Sequence, residues 1–212
     1  MVKKFAISLS AATLIGLSTA ASALPVASNG SNNNLASAQS VNAFFDLSAN
    51  AQIENSTLIP HVEITNTGGD NTFDYFWFSV SANGTDAVFD VDCGSQTAGS
   101  PNTGCSDQDD PFDPFLDLLT PGGASLDFDD DDFTGDPGSE NNNLDSLLRT
   151  TLDSGDYVIR VSDWPGQEIP DGATYVLNVS IGNLPSTVPA PGVVLLFGLG
   201  LLALGANRSQ TR

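Results

Sequence analysis

The sequence predicts an all-β protein, an antiparallel β-sandwich. Apolar side chains recur at every second position in several short runs, and clusters of Gly, Asn, Asp or Pro bound each run. The region between the two chain ends shows no clear 3.6-residue apolar repeat of an amphipathic helix. Many short strands separated by turn signals are typical of two packed sheets.

Six runs are candidate strands. In the run 175–181 the odd positions are apolar and most even positions are polar. The other five lie at residues 76–80, 157–162, 89–91, 116–118 and 61–64. His61 begins the last of these runs, where we interpret it as a strand-end residue and not as a general base.

Composition excludes several functions. The 212 residues include 26 Asp and Glu but only 6 Lys and Arg, a formal net charge of −20, and one His. Phosphate contacts to nucleic acid need surface Lys and Arg, so nucleic acid is not an expected partner. No Gly-x-Ser-x-Gly elbow, phosphate loop or zinc motif is present. We therefore expect no enzyme, with a secreted glycoside hydrolase that uses paired carboxylates as the third alternative.

Both chain ends have the pattern of export signals. Lys3 and Lys4, an apolar stretch over 5–17 and the small residues 21–23 predict a secretory signal peptide. The predicted organisation is a signal peptide at 1–23, a polar lead at 24–40, the β-sandwich at 41–181, a linker at 182–187 and a tail at 188–212.

The tail combines a proline motif, an apolar run and a basic tip. The motif consists of Val188, Pro189, Ala190 and Pro191. The apolar run 192–206 follows, and at ~1.5 Å per residue it makes a short membrane helix. Arg208 and Arg212 would hold the C-terminus on the cytoplasmic side.

This tail resembles the PEP-CTERM sorting signal of bacteria, with Ala190 at the position where that family usually has Glu. In that family an exosortase, a membrane protease, cuts near the proline motif. The resemblance implies a protein tethered to the inner membrane with its domain outside, and then delivered to the cell surface or extracellular matrix. A simple tail anchor is the alternative.

The two cysteines, Cys93 and Cys105, enclose a loop rich in Gly, Ser, Thr and Asn. In an exported chain such a pair predicts a structural disulfide. A redox pair or a cysteine metal site would need closer spacing or further soft ligands.

Aspartates crowd the segment 107–140, which contains no Lys or Arg. The consecutive aspartates 129–132 cannot all ionise close together without a compensating cation. Carboxylates on Gly-rich loops suit Ca²⁺ better than Mg²⁺, which keeps its waters. The alternative is a solvated acidic loop that keeps the protein soluble.

A series of motifs across this region resembles the bacterial pre-peptidase C-terminal domain. They are Asp-Pro-Phe-Leu-Asp-Leu at 113–118, Pro-Gly-Gly at 121–123, the aspartates 129–131, Asp145-Ser146 and Gly-Asp-Tyr at 155–157. Residues 74–80 and 172–177 match its early and last strands. The resemblance implies a non-catalytic jelly-roll sandwich, a fold in which some members bind calcium or extracellular polymers.

From the acidic segment and this resemblance we expect a calcium site. Its predicted ligands are Asp113, Asp129, Asp130, Asp131 and Asp145, with Asp74 a weaker candidate. Calcium would neutralise the carboxylates and order the loops at one end of the sandwich.

A second function is a carbohydrate-binding module for envelope polysaccharide. Trp164 follows Asp163 and precedes Pro165-Gly166 in a predicted loop, so it is the candidate for stacking on a sugar. Trp77 lies in the densest aromatic run and is expected in the core or on a sheet face.

Overall fold

A computed structural model describes residues 25–66, 70–95, 113–131 and 144–183, which contain ten strands and one 3₁₀ turn, Leu35–Ser37. The strands are β1 (Val26–Ala27), β2 (Gln39–Ser40), β3 (His61–Asn66), β4 (Asp74–Val80), β5 (Thr85–Ser95), β6 (Pro114–Leu119), β7 (Ser125–Asp129), β8 (Leu147–Leu152), β9 (Gly155–Asp163) and β10 (Thr174–Ile181). In these residues no helix has the length and apolar character needed to span a bilayer. The predicted signal peptide and tail lie outside them.

The strands form two five-stranded sheets. Sheet A has the order β1-β3-β10-β5-β8, and sheet B has the order β2-β4-β9-β6-β7. Eight strands pair in a nested antiparallel order, in which β6 pairs with β7, β5 with β8, β4 with β9 and β3 with β10. Two further antiparallel pairs, β10·β5 and β9·β6, join these strands into the two sheets. This nested order is a jelly roll, so the all-β sandwich prediction is confirmed.

The prediction of purely antiparallel sheets is wrong at two edges. β1 runs parallel to β3, and β2 runs parallel to β4, so both sheets are mixed. Both strands come from the predicted polar lead and have two residues each. Backbone hydrogen bonds extend this edge pairing, for example from Ser28 N to Thr65 O at 2.9 Å and from Val41 N to Trp77 O at 3.0 Å. A two-residue strand has no side-chain alternation for a sequence pattern to detect.

Each of the six candidate runs lies within an observed strand, but the runs did not reveal β7 and β8. The side chains of β7 are exposed or half-buried, so β7 lacks a clear apolar face. β8 reads Leu-Leu-Arg-Thr-Thr-Leu, in which two adjacent leucines obscure the period of two. Both strands are recruited by pairing with a neighbour, and this contact is not encoded in either short segment.

The core lies between the inner faces of the two sheets. Phe76 and Phe78 of β4 and Ile159 of β9 face Phe89 of β5 and Leu177 of β10 within one buried apolar cluster. The rings of Phe78 and Phe89 meet across the sheets with centroids 5.4 Å apart. Alternation of apolar and polar residues therefore determines which face of each strand is buried.

A buried polar group interrupts this core beside β4. The Asp74 carboxylate accepts hydrogen bonds from Tyr175 Oη at 2.5 Å and from Asn66 Nδ2 at 2.9 Å, which connects the two sheets. Burial raises the pKa of Asp74 to about 6, although the bond from Tyr175 favours the charged form. Burial and the neighbouring Asp74 also raise the pKa of Tyr175. The folded protein therefore holds the Asp74 proton more tightly than the unfolded chain does.

We predict that Asp74→Asn makes the protein more stable than the wild type at pH 7. Because the folded pKa lies above the unfolded value, the stabilisation from protonated Asp74 is complete below pH 4 and is lost as the pH rises through 6. The lost free energy of unfolding is on the order of 3 kcal/mol. An asparagine Oδ1 can accept both hydrogen bonds without carrying charge.

Urea unfolding of both proteins between pH 4 and 7.5 measures this difference. The control Asp156→Asn makes the same charge change at an exposed position and should keep the pH dependence of the wild type. If Asp74→Asn and the wild type lose stability in parallel over this range, Asp74 does not hold the proton.

Candidate metal centre

Three carboxylates meet at one end of sheet B, and we call Asp113, Asp130 and Asp131 the acidic triad. Asp113 directly precedes β6, while Asp130 and Asp131 directly follow β7. Because β6 and β7 are antiparallel, the beginning of one strand lies beside the end of the other. One carboxylate oxygen from each of the three residues lies within 4.8 Å of the other two.

The triad concentrates negative charge in a partly buried place. Oδ1 of Asp113 and Oδ1 of Asp130 are buried and accept no hydrogen bond from the part of the chain that the structure describes. Burial, and after it the charges of Asp130 and Asp131, raise the pKa of Asp113 to about 6. Burial and the charges of Asp131 and Asp129 also raise the pKa of Asp130. The arrangement thus disfavours three ionised carboxylates unless a cation joins them.

No Arg or Lys neutralises the triad within the described ranges. Arg160 lies 2.9 Å from Asp117, and Arg149 lies 3.7 Å from Glu54. These are the two cations between the predicted signal peptide and the tail.

Ser146 holds the strands that carry the triad. It is fully buried, and its hydroxyl lies within hydrogen-bonding reach of Pro114 O at the start of β6 and 2.7 Å from Asp130 O. Leu147 N donates to Asp129 Oδ2 at 2.9 Å, which attaches the start of β8 to the end of β7. The main chain on both sides of the triad is therefore positioned by one buried hydroxyl and one carboxylate.

The structure thus brings together three of the predicted calcium ligands and places the others nearby or elsewhere. The carboxylate of Asp129 accepts the hydrogen bond from Leu147, and Asp145 is buried directly before Ser146. Asp74 belongs to the polar group with Tyr175 and is not part of the triad.

Sequence reasoning missed a fourth carboxylate, Asp163, at the end of β9. Pro114 pairs with Asp163 in the β6·β9 register, so the two strand ends adjoin. Burial raises the pKa of Asp163, opposed by hydrogen bonds from the backbone of Asp113 and Trp164. Its charge also contributes to the raised pKa of Asp113. The sequence offered one hint of a role for Asp163, namely its position between an alternating run and Trp164. Only the strand pairing shows that Asp163 lies beside Asp113.

An aromatic row lies beside the triad and consists of Trp164, Phe115 and Phe128. The ring of Phe115 lies 5.5 Å from that of Trp164 and 5.7 Å from that of Phe128, centroid to centroid. Trp164 is 44% exposed and Phe128 is 60% exposed. Trp164 N donates to Asp113 O at 2.8 Å, which connects the row directly to the triad. Trp77 is half-buried on β4, away from this row.

Two predicted sites stay predictions. Cys93 lies in β5, but Cys105 falls outside the described residues, as does the sorting motif at 188–191.

Comparisons with known proteins add two distant structural similarities. The chain matches no protein-family model and no curated protein. It is similar to the pre-peptidase C-terminal domain of a collagenase from Bacillus anthracis, at 13% identity over 57% of this chain and 89% of that chain, with a TM-score of 0.34. It is also similar to a periplasmic inhibitor of g-type lysozyme from Aeromonas hydrophila, at 15% identity over 61% and 91%, with a TM-score of 0.33. At these low scores, the strand pairing of the chain itself defines its fold.

We predict that Ser146→Ala lowers the free energy of unfolding by about 1 to 2 kcal/mol, because the carbonyl groups of Pro114 in β6 and of Asp130 after β7 lose the hydroxyl that they share. Urea unfolding in EDTA measures this loss without any contribution from a bound cation. Ser154→Ala is the control, since it removes an exposed hydroxyl that donates to Asn83 Oδ1 at 2.8 Å. Equal losses in the two variants would contradict a special role for Ser146.

Proposed function

We propose that this chain is a non-catalytic, exported β-sandwich that binds Ca²⁺ at the acidic triad. The observation that supports it most is the pair of buried carboxylate oxygens, on Asp113 and Asp130, that accept no hydrogen bond in the described part of the chain. Buried charges are retained in proteins when they are paired or coordinate a metal. No Arg or Lys in the described residues is paired with these two, and a cation from solution supplies what is missing.

The chemistry of the donors favours Ca²⁺ over other ions. All three side chains offer hard carboxylate oxygens, which suit Ca²⁺ and not the soft ligands preferred by Zn²⁺ or Cu⁺. Ca²⁺ accepts six to eight oxygens in flexible geometry, whereas Mg²⁺ requires a strict octahedron and keeps several waters. Partly exposed carboxylates at two strand ends match the flexible ion better.

The proposed role of the ion is to order one end of the sandwich. Ca²⁺ would remove the repulsion among the triad and hold the start of β6 against the end of β7. Asp113 would pass this order to Trp164 through the hydrogen bond between their main chains. In this view calcium fixes the aromatic row in place.

We predict that the double variant Asp130→Asn with Asp131→Asn loses its response to calcium. The wild type should melt at a clearly higher temperature with millimolar Ca²⁺ than with EDTA, and Mg²⁺ should have much less effect. The double variant should melt at one temperature in both buffers, because two of its three ligands no longer carry charge. Thermal unfolding followed by circular dichroism measures both.

The matched control carries Asp153→Asn and Asp156→Asn. These changes also remove two charges, but both residues are exposed and neither belongs to the triad. It should keep the full calcium shift. Calcium affinity of the wild type should also weaken as the pH falls from 7 to 5, because protons compete for Asp113 with its pKa of about 6. A wild type that melts equally with calcium and EDTA would refute the proposal and leave the acids as a solvated surface.

The delivery of the domain follows from the two chain ends. The signal peptide pattern at 1–23 and the proline motif, apolar run and arginine tip at 188–212 support export, inner-membrane tethering and processing by an exosortase-type enzyme. The destination would be the cell surface or the extracellular matrix. The predicted disulfide between Cys93 and Cys105 would fit the same oxidising location.

The second candidate function is binding of extracellular polysaccharide, and the aromatic row supports it. Exposed indole and phenyl faces stack on the apolar faces of sugar rings, and here two exposed rings adjoin the triad. Phe128 therefore joins Trp164 as a proposed contact.

We predict that Trp164→Ala and Phe128→Ala each weaken binding to an envelope polysaccharide by about tenfold, as expected when one stacked ring is lost. Affinity electrophoresis with calcium present measures the retention. Phe44→Ala removes an aromatic ring that is 48% exposed outside the row, and it should bind like the wild type. Equal retention of all three variants would contradict the aromatic row as the sugar site. Release of reducing sugar would instead identify a hydrolase.

A further inference from the structure

A cavity lies on the outer face of sheet A, on the opposite sheet from the acidic triad. The segment 52–59 covers the outward side chains of β5, β8 and β10 and leaves a space of about 420 Å³. Its lining includes Asp90 of β5, Arg149 of β8 and Asn178 of β10. This volume falls in the range of small-molecule sites.

The lining includes a hydrogen-bond acceptor that lacks a donor. Asn178 is 2% exposed and donates from Nδ2 to Asp92 Oδ2 at 2.6 Å. Its Oδ1 is buried and accepts no hydrogen bond from the described residues. Exchanging the two amide atoms would set an oxygen against the Asp92 carboxylate, so the orientation is determined. A buried carbonyl oxygen without a donor costs free energy that a bound donor would recover.

The charges around the cavity favour a cation. Asp90 is buried and lies directly opposite Asn178 in the β10·β5 register. Asp86 and Glu54 add two more carboxylates to the lining, against the single guanidinium of Arg149. Arg149 and Glu54 are 3.7 Å apart and about half exposed, so water screens their pairing.

The rest of the lining is partly aliphatic and partly polar, with Gln52, Thr150 and Ser180 among the uncharged polar residues. Ile53 and Ile59 come from the covering segment, while Val88 and Leu147 come from the sheet. None of the lining residues is aromatic, so the cavity lacks the flat ring on which a sugar would stack.

We propose that this cavity binds a primary alkylammonium compound, such as a small aliphatic amine or diamine. An ammonium group carries three donors and a positive charge, which match the Asn178 oxygen and the acidic lining. Its methylene stem fits against Ile53, Val88 and Leu147 and removes apolar area from water. The formal net charge of −20 draws cations toward the whole molecule.

Calorimetric titration of the full-length chain with n-pentylamine and n-pentanol tests this proposal, with millimolar Ca²⁺ present to keep amines away from the acidic triad. We expect saturable binding of the amine and at least about tenfold weaker binding of the alcohol, which has the same stem but no charge. Equal affinities, or no saturation with the amine, would overturn the proposal.

Two variants locate the bound amine. Ile53→Trp fills the cavity from the covering segment and should abolish binding. Asp86→Asn removes one charge from the lining and should weaken binding about threefold, while Asp156→Asn, the same change outside the lining, should leave it unchanged. If Ile53→Trp does not fold, the comparison of Asp86→Asn with Asp156→Asn tests the location instead. Equal amine affinities in these two variants would overturn the proposed location.

The Asp130→Asn, Asp131→Asn double variant separates this site from the proposed calcium function. It should bind pentylamine with the affinity of the wild type. Loss of amine binding in that variant would place the amine at the triad and would overturn the cavity proposal, whatever the outcome of the calcium experiment.

Discussion

Strand β6 pairs with β7 on one side and with β9 on the other, and both pairings are antiparallel. Pro114, the first residue of β6, pairs with Asp163 at the end of β9, and Leu116, two positions further along β6, pairs with Asp129 at the end of β7. All three strands are bounded by aspartate at this end, so Asp113, Asp130 and Asp163 converge where the sheet stops. The main-chain hydrogen bonds of the sheet overcome the repulsion among these carboxylates, and the triad, Ser146 and the aromatic row all depend on that alignment.

The chain has too few positive charges to neutralise the carboxylates that converge at this end of the sheet. Between the predicted signal peptide and the tail the chain has two cations, Arg149 and Arg160. Arg160 is engaged with Asp117 and lies 5.2 Å from the centre of the Phe73 ring. Arg149 lies on the other sheet, beside Glu54. A cation that balances the triad would have to come from solution, so the stability of this end of the sandwich should depend on the ions around the protein.

Burial raises the carboxylate pKa at two places in the molecule, with different consequences. Asp74 accepts hydrogen bonds from Tyr175 and Asn66, so it contributes a polar link between the sheets. Asp113 and Asp130 each have a buried oxygen that accepts no hydrogen bond from the described residues. The two places differ in their donors and also in depth, since Asp74 is buried whereas Asp113 and Asp130 are half-buried. A carboxylate that has donors serves the core, while carboxylates that lack them form a place where a ligand can bind.

The fold class, the location of six strands and the acidic segment without cations could all be predicted from the amino-acid sequence alone. These features are local, because the period of two and the clustering of aspartates can be read along a short stretch of chain. The tertiary structure decided which acids meet. Asp113 and Asp163 are 50 positions apart and adjoin only through strand register, and the chain between them carries no pattern that specifies that register. The edge strands, the place of Phe128 in the aromatic row and the cavity beneath segment 52–59 likewise have no local sequence pattern that predicts them. Each of these depends on long-range pairing, which backbone hydrogen bonds and core packing fix together and which no short segment encodes alone.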